Sequence, residues 1–337
     1  VGLGKTLIAK GVIAKIANQH KAEGDDLFKV LYICSNSDIA SQNIRKLKIH
    51  EGVTVDGVTD TRLSMQHLKI FEQENDEKVK ENYIQLIPLT PATSFNVTRG
   101  SGSVAERALM FAILKRLKVF EPFERELEIL FEDRATSSFW RYRTEMEERV
   151  VNCDRDSNGD YLYLILSAVN KALKKKNMIN ETIKHCRDIR EDGGKRIGGM
   201  QGTIYKLRGI FSEVSIKHLK PDLVIMDEFQ RFRQLINADA ESDTGRLTNA
   251  FLRSDKVKIL LLSATPHKLY QTLEESAQTG QDEHYREFFE VMDFLFDKED
   301  KRREFREVWR DFSTSLQEYS ANDTSILNLK NTAVNAM

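Results

Sequence analysis

The sequence predicts a three-layer α/β fold built on a parallel sheet, with a helical insertion inside it and a helical extension after it. Three observations lead there. Short apolar runs bounded by polar residues recur at Lys29–Cys34, Tyr83–Leu89, Leu223–Met226 and Val257–Leu262, and each reads as a strand. Strands and helical patterns alternate over the first hundred residues, an order that favours a parallel sheet. From residue 103 the strand signals stop, helical spacing takes over, and the strand pattern resumes only after residue 202.

Taken in order, Leu7, Ile8, Ala9, Val12, Ile13 and Ile16 repeat at helical spacing and predict a helix over 5–20. A strand over 29–34 follows, then a helix over 38–48 and a strand over 83–89. Ser103 and Glu106 have capping-box spacing and open a helical region in which Leu109, Phe111, Leu114 and Leu117 recur. Leu162, Ile165, Leu166, Val169 and Leu173 mark a further helix ending in Lys174-Lys175-Lys176. The glycine-rich stretch 191–202 closes the insertion. Charged and aromatic residues alternate at helical spacing from His284 to Tyr319. The expected division is an α/β domain over 1–102 and 203–270, an insertion over 103–202 and a helical extension over 271–337.

Composition narrows the functional classes. The 337 residues carry 51 Lys and Arg against 52 Asp and Glu, a formal net charge of −1, so any nucleic-acid surface has to be local. Cys34, Cys153 and Cys186 lie far apart with no C-x-x-C pair, which argues against a zinc site or a disulfide framework and fits a reducing cytoplasm. No apolar run reaches the roughly 18 residues a membrane helix needs. His20, His50, His185 and His267 have no metal-ligand spacing, and Trp140 and Trp309 read as packing residues. Lys171, Lys174, Lys175 and Lys176 read as a solvated helix end that suits the helix dipole. No serine or cysteine has a recognisable general-base partner for covalent hydrolase chemistry.

Gly2-Leu3-Gly4-Lys5-Thr6 before a helix matches the end of a Walker A loop, whose glycines let backbone N–H groups approach phosphates at a helix N-terminus. Lys5 is then the phosphate contact and Thr6 the hydroxyl ligand of Mg2+. An apolar strand ending in Asp227-Glu228 supplies the complementary pair: an aspartate to hold the metal and a glutamate to orient the attacking water. Ser263-Ala264-Thr265 ends the next apolar run. All three groups fall where parallel strands end, the edge at which open α/β sheets bind ligands.

In this order the three segments resemble motifs I, II and III of superfamily 2 helicases of the DEAD/DEAH-like kind, in the branch of the Swi/Snf-type translocases. Motif II reads Asp227-Glu228-Phe229-Gln230. Cys34-Ser-Asn-Ser-Asp-Ile-Ala-Ser-Gln42 looks like motif Ia and Thr90-Pro-Ala-Thr-Ser94 like motif Ib. The resemblance covers roughly 1–100 and 203–270 and implies a RecA-like ATP-binding domain. It implies ATP and Mg2+ as ligands, with Gly2, Leu3, Gly4, Lys5 and Thr6 at the nucleotide and Thr6 and Asp227 at the metal. Lys5, Asp227, Glu228 and Gln230 carry hydrolysis, and Ser263, Ala264 and Thr265 couple it to movement, with Gln230 expected to bond toward Ser263 or Thr265. Ser35, Asn36, Thr90 and Ser94 are implied contacts to a nucleic-acid backbone, more readily DNA than RNA. Phe229-Gln230 departs from the alanine and histidine usual in Swi/Snf-type remodellers.

The implied activity is ATP-driven movement along nucleic acid, with a second RecA-like domain downstream closing over the nucleotide. The strand that precedes a Walker A loop is expected upstream of Val1, so the chain reads as a fragment and, by itself, a weak ATPase. Two alternatives share these features: a motor subunit of a restriction or phage-defence complex, and a nucleotide-binding regulatory module without turnover.

Overall fold

The computed structural model describes residues 4–34, 37–55, 62–74, 81–90, 100–229, 252, 257–263, 283–296 and 298–317. They fall in two compact units, 1–264 and 265–337.

The first unit opens with helix α1, Lys5–Glu23, which buries Ala9, Ile13, Ile16 and Ala17. It stops at Gly24, whose φ of 93° lets its N–H bond back to the carbonyls of His20 and Lys21. Strand β1, Phe28–Ile33, leads into helix α2, Ser37–Lys46. The two-residue strand β2, Thr54–Val55, comes next, followed by helix α3, Leu63–Glu74, and strand β3, Ile84–Leu89. Five helices of eleven residues or more and one of nine then intervene: α4, Val104–Leu114; α5, Glu124–Glu132; α6, Thr136–Asp156; α7, Asp160–Lys175; α8, Met178–Glu191; and α9, Met200–Leu219. Strands β4, Leu223–Asp227, and β5, Lys258–Leu262, complete the sheet.

The sheet order is β2-β3-β1-β4-β5, and every pairing is parallel. An α/β fold on a parallel sheet is therefore observed. All six residues of β1 and of β3 are buried, as expected of central strands covered on both faces. Register sets the functional edge. Ile33 lies opposite both Leu89 and Met226, and Asp227 lies opposite Leu262. Cys34, Thr90, Asp227 and Ser263 consequently emerge at one level, the C-terminal edge of the sheet.

The apolar interior forms two clusters. One joins α1, α2 and the strands through Ile13, Phe28, Val30, Leu86 and Ile225. The other is helical and draws on α3 and α9 as well as α4 to α8, with Phe111, Phe131, Phe139, Tyr161 and Phe211 fully buried. The helical core thus reaches beyond 103–202 on both sides. Helix α3 was not foreseen, because Leu63 to Glu74 mixes apolar and polar residues without a clean stripe; its polar Ser64, Gln66 and His67 are buried against α9 and neighbouring helices.

The chain passes from sheet to helices through a buried ionic knot. The foreseen capping box is present: Ser103 Oγ accepts from the Glu106 N–H, and the Glu106 carboxylate accepts from the Ser103 N–H. That carboxylate also receives Arg208 Nε at 2.9 Å and the Ser64 hydroxyl, while Arg208 Nη1 donates to the Gly100 carbonyl at 3.0 Å. Gly102 has a φ of 74° and lies so close that a Cβ there would collide with both Glu106 and Arg208. No short motif announces this arrangement, since its members are about a hundred residues apart.

Trp140 departs from its expected packing role. It is 54% exposed on α6, and the Arg143 guanidinium lies 4.8 Å from its ring centre. Lys176 pairs with Glu213 at the start of the α7–α8 connection, whereas Lys171, Lys174 and Lys175 are exposed, as a solvated helix end should be.

The second unit contains helices α10, Glu283–Leu295, and α11, Glu299–Gln317. Phe305 is buried between Phe289, Phe296 and Trp309, so here the tryptophan does pack. Among the described residues no helix is long and apolar enough to cross a membrane.

Candidate functional site

The site is assembled from the start of α1, strand β1, helix α2 and the end of β4. Gly4 caps α1, and its carbonyl accepts the first helical bond from Ile8 at 2.9 Å. Lys5 and Thr6 therefore occupy the first turn, where backbone N–H groups without helical partners and the helix dipole favour an anion. Glu228 follows β4 directly and has a φ of 56°, a left-handed conformation that few non-glycine residues adopt. Such a turn ends the strand abruptly and aims consecutive acidic side chains at the same neighbourhood. Conformational outliers of this kind concentrate at functional sites.

Lys5 Nζ donates to Glu228 Oε1 and lies 3.7 Å from Asp227 Oδ1. Residues 222 positions apart in the chain meet here because the parallel register brings the end of β4 beside the start of α1. All three side chains are half-buried, at 21%, 15% and 27% exposure for Lys5, Asp227 and Glu228. That is dry enough to strengthen the charges yet open enough to admit a polar ligand.

Two residues that the sequence did not single out complete the cluster. Tyr32 donates its hydroxyl to Asp227 Oδ2 at 2.5 Å. Asn43 Nδ2 donates to the Tyr32 oxygen at 3.3 Å and to the same Asp227 Oδ2 at 3.4 Å. Burial, followed by the bond to Asp227 and its negative charge, raises the phenol well above its ordinary pKa, so the hydroxyl stays protonated and remains a donor. Tyr32 sits in β1 opposite Ile225, and its long side chain reaches two residues forward along β4. In sequence it reads only as one more residue of a buried strand, and Asn43 as a polar residue of α2. Nothing short of the pairing register connects either to Asp227.

Several foreseen residues stand apart from this cluster. Thr90 lies at the same edge and is buried to 1% exposure. The burial follows from its place just after the fully covered strand β3. Ser263 emerges beyond β5 and keeps its polar interactions. Gly2, Leu3, Ser35, Asn36, Ser94, Gln230, Ala264 and Thr265 lie outside the described residues, and the expected bond from Gln230 to Ser263 or Thr265 falls with them.

The donor set suits a hard divalent cation with a phosphate ester. Asp227 Oδ1, whose described contact is the 3.7 Å approach of Lys5, and the Thr6 hydroxyl are oxygen ligands of the type Mg2+ takes alongside phosphate oxygens and water. Lys5 supplies positive charge beside them. The arrangement brings one positive and two negative side chains together at the strand edge beside the first turn of α1. A second grouping is unrelated: His20, Glu23 and Asp25 converge at the end of α1, despite the lack of ligand spacing in sequence. There His20 Nδ1 is bonded to Asp25 at 2.9 Å, and two of the three residues are exposed.

No protein-family model matches the chain, and neither the curated proteins nor the solved structures contain a match to it.

Proposed function

We propose that the chain is the N-terminal motor half of an ATP-dependent nucleic-acid translocase or helicase, acting on double-stranded DNA more readily than on RNA. One observation carries this reading: Lys5 at the first turn of α1 meets Asp227 and Glu228 at the C-terminal edge of a parallel sheet. A RecA-like domain uses that edge, and the resemblance of the sequence to superfamily 2 motifs gives each member of the trio a role.

The first turn of α1 binds the phosphates through backbone N–H groups, and Lys5 neutralises the β- and γ-phosphate charge. Thr6 and Asp227 hold Mg2+, which offsets the charge that develops on the transferring phosphate. Glu228 orients the attacking water and accepts its proton. The contacts Lys5 makes with Asp227 and Glu228 are ones a nucleotide would replace, so binding redistributes charge among groups already in place. Ser263, with Ala264, Thr265 and Gln230, relays the state of the phosphate toward nucleic acid held by Ser35, Asn36 and Ser94. A second RecA-like domain supplies the remaining charge stabilisation. The three buried cysteines, Cys34, Cys153 and Cys186, form no disulfide, which suits work in a reducing cytoplasm.

The test is nucleic-acid-stimulated ATP hydrolysis by the full-length protein. Stimulation by duplex DNA is expected, and absence of turnover with every DNA and RNA tried would refute the motor.

A further inference from the structure

The two oxygens of Asp227 are not equivalent. Each carboxylate oxygen has two lone pairs. Oδ2 already accepts two donors, Tyr32 Oη at 2.5 Å and Asn43 Nδ2 at 3.4 Å, whereas the described contact of Oδ1 is Lys5 Nζ at 3.7 Å. Tyr32 is itself held, since its oxygen accepts from Asn43 at 3.3 Å, and it is 2% exposed. The two donors come from β1 and α2, both of which anchor buried residues in the sheet core.

We propose that Tyr32 and Asn43 are positioning residues that make the metal site selective for Mg2+ over Ca2+. They do so by occupying Oδ2 and leaving Asp227 a single coordinating oxygen. This inference rests on the nucleotide–metal reading of Lys5, Thr6 and Asp227 and adds the discrimination between cations. The chemistry follows from ion size. Mg2+ demands near-octahedral geometry and binds one oxygen of a carboxylate, retaining water on its other faces; Ca2+ takes six to eight oxygens and readily engages both oxygens of one carboxylate. A carboxylate whose second oxygen is saturated by fixed donors offers Ca2+ little more than it offers Mg2+. Releasing that oxygen permits two-point coordination, which benefits the larger ion alone. Negative selection by denying a competitor its preferred contact is a general route to specificity.

The experiment measures the affinity of the full-length protein for a fluorescent ATP analogue supported by Mg2+ and, separately, by Ca2+. It compares wild type, Tyr32→Phe, Asn43→Ala and the double variant. Tyr32→Phe keeps the ring volume in the core, and Asn43→Ala alters a half-buried side chain, so at least one is expected to fold; thermal melts verify which do. The double variant is expected to lower the Mg2+/Ca2+ affinity ratio by about tenfold, roughly the worth of one hydrogen bond, and each single variant to give part of that change. A general loosening of the site weakens binding with both cations equally and leaves the ratio at its wild-type value. An unchanged ratio in folded variants overturns the inference while leaving the site itself standing. Divalent-independent nucleotide binding, or none, in the wild type would instead sink the site reading on which the inference rests.

Discussion

The sheet edge and the helical core solve the burial of charge in opposite ways. At the edge, Lys5, Asp227 and Glu228 stay half-buried and contact one another through few bonds, the approach of Lys5 to Asp227 Oδ1 being a long 3.7 Å. In the helical core, Glu106 at 2% and Arg208 at 5% exposure are enclosed and saturated, and their bonds reach α3, α4, α9 and the backbone at Gly100. The first arrangement keeps charge available for a ligand; the second uses charge to fix where the chain crosses from sheet to helices. Ion pairs of similar composition thus do different work according to how completely their polar atoms are satisfied.

If that contrast is right, damage to the knot should register as stability and not as nucleotide affinity. Replacing Arg208 with Met strands the Glu106 carboxylate and is expected to cost about 3 kcal/mol or more in urea denaturation. Fluorescent-nucleotide affinity measured on the fraction that remains folded should match the wild type. A large affinity loss with little change in stability would show that the knot belongs to the site. Gly102→Ala probes the same crossing through the backbone. Its positive φ and the closeness of Glu106 and Arg208 predict a cost of about 1–3 kcal/mol by the same denaturation assay.

The pH dependence of stability sharpens the comparison further. His67 on α3 is fully buried, bonded through Nδ1 to the Tyr161 hydroxyl at 3.1 Å and stacked on its ring. Burial first, then the nearby His218, lowers its pKa from 6.5 to about 3. The folded protein therefore keeps the ring neutral while unfolded chains take up a proton as soon as pH drops below 6.5. The stability this residue contributes is complete above pH 6.5 and is lost as pH falls from there toward 3. The expected slope is up to about 1.4 kcal/mol per pH unit between pH 6 and 4. Denaturation midpoints across that range test it, and a His67→Gln variant with the same slope as wild type would assign the effect elsewhere.

The two regions also differed in how far they could be read from residues alone. The strands Lys29–Cys34 and Leu223–Met226 were legible because buried parallel strands leave short apolar runs, and the helix after Lys5 from its apolar repeat, although Leu7 and Ile8 of that repeat are exposed. The meeting of Lys5 with Asp227 and Glu228 was legible because a helix start and a strand end fall at one edge of an open parallel sheet. The contacts of Tyr32 and Asn43 with Asp227 were not, since they depend on how β1 and α2 are placed against the distant strand β4. The same holds for Arg208 with Glu106, and for α3, whose buried Ser64, Gln66 and His67 disguise it as a surface segment. The burial of Thr90 was likewise not legible, since a hydroxyl in a motif-like turn carries no sign of it in sequence.

The Lys5, Asp227 and Glu228 trio carries the proposed ATP site. Its most direct measurement is Mg2+-dependent binding of a fluorescent ATP analogue to wild type, Lys5→Ala and Glu228→Gln. Lys5→Ala is expected to weaken binding about 10- to 100-fold, as loss of a hydrogen bond between charged groups should. Glu228→Gln should retain tight binding while phosphate release stops. Wild-type affinity in Lys5→Ala, or undiminished phosphate release in Glu228→Gln, would contradict the assignment of this edge as an ATP site.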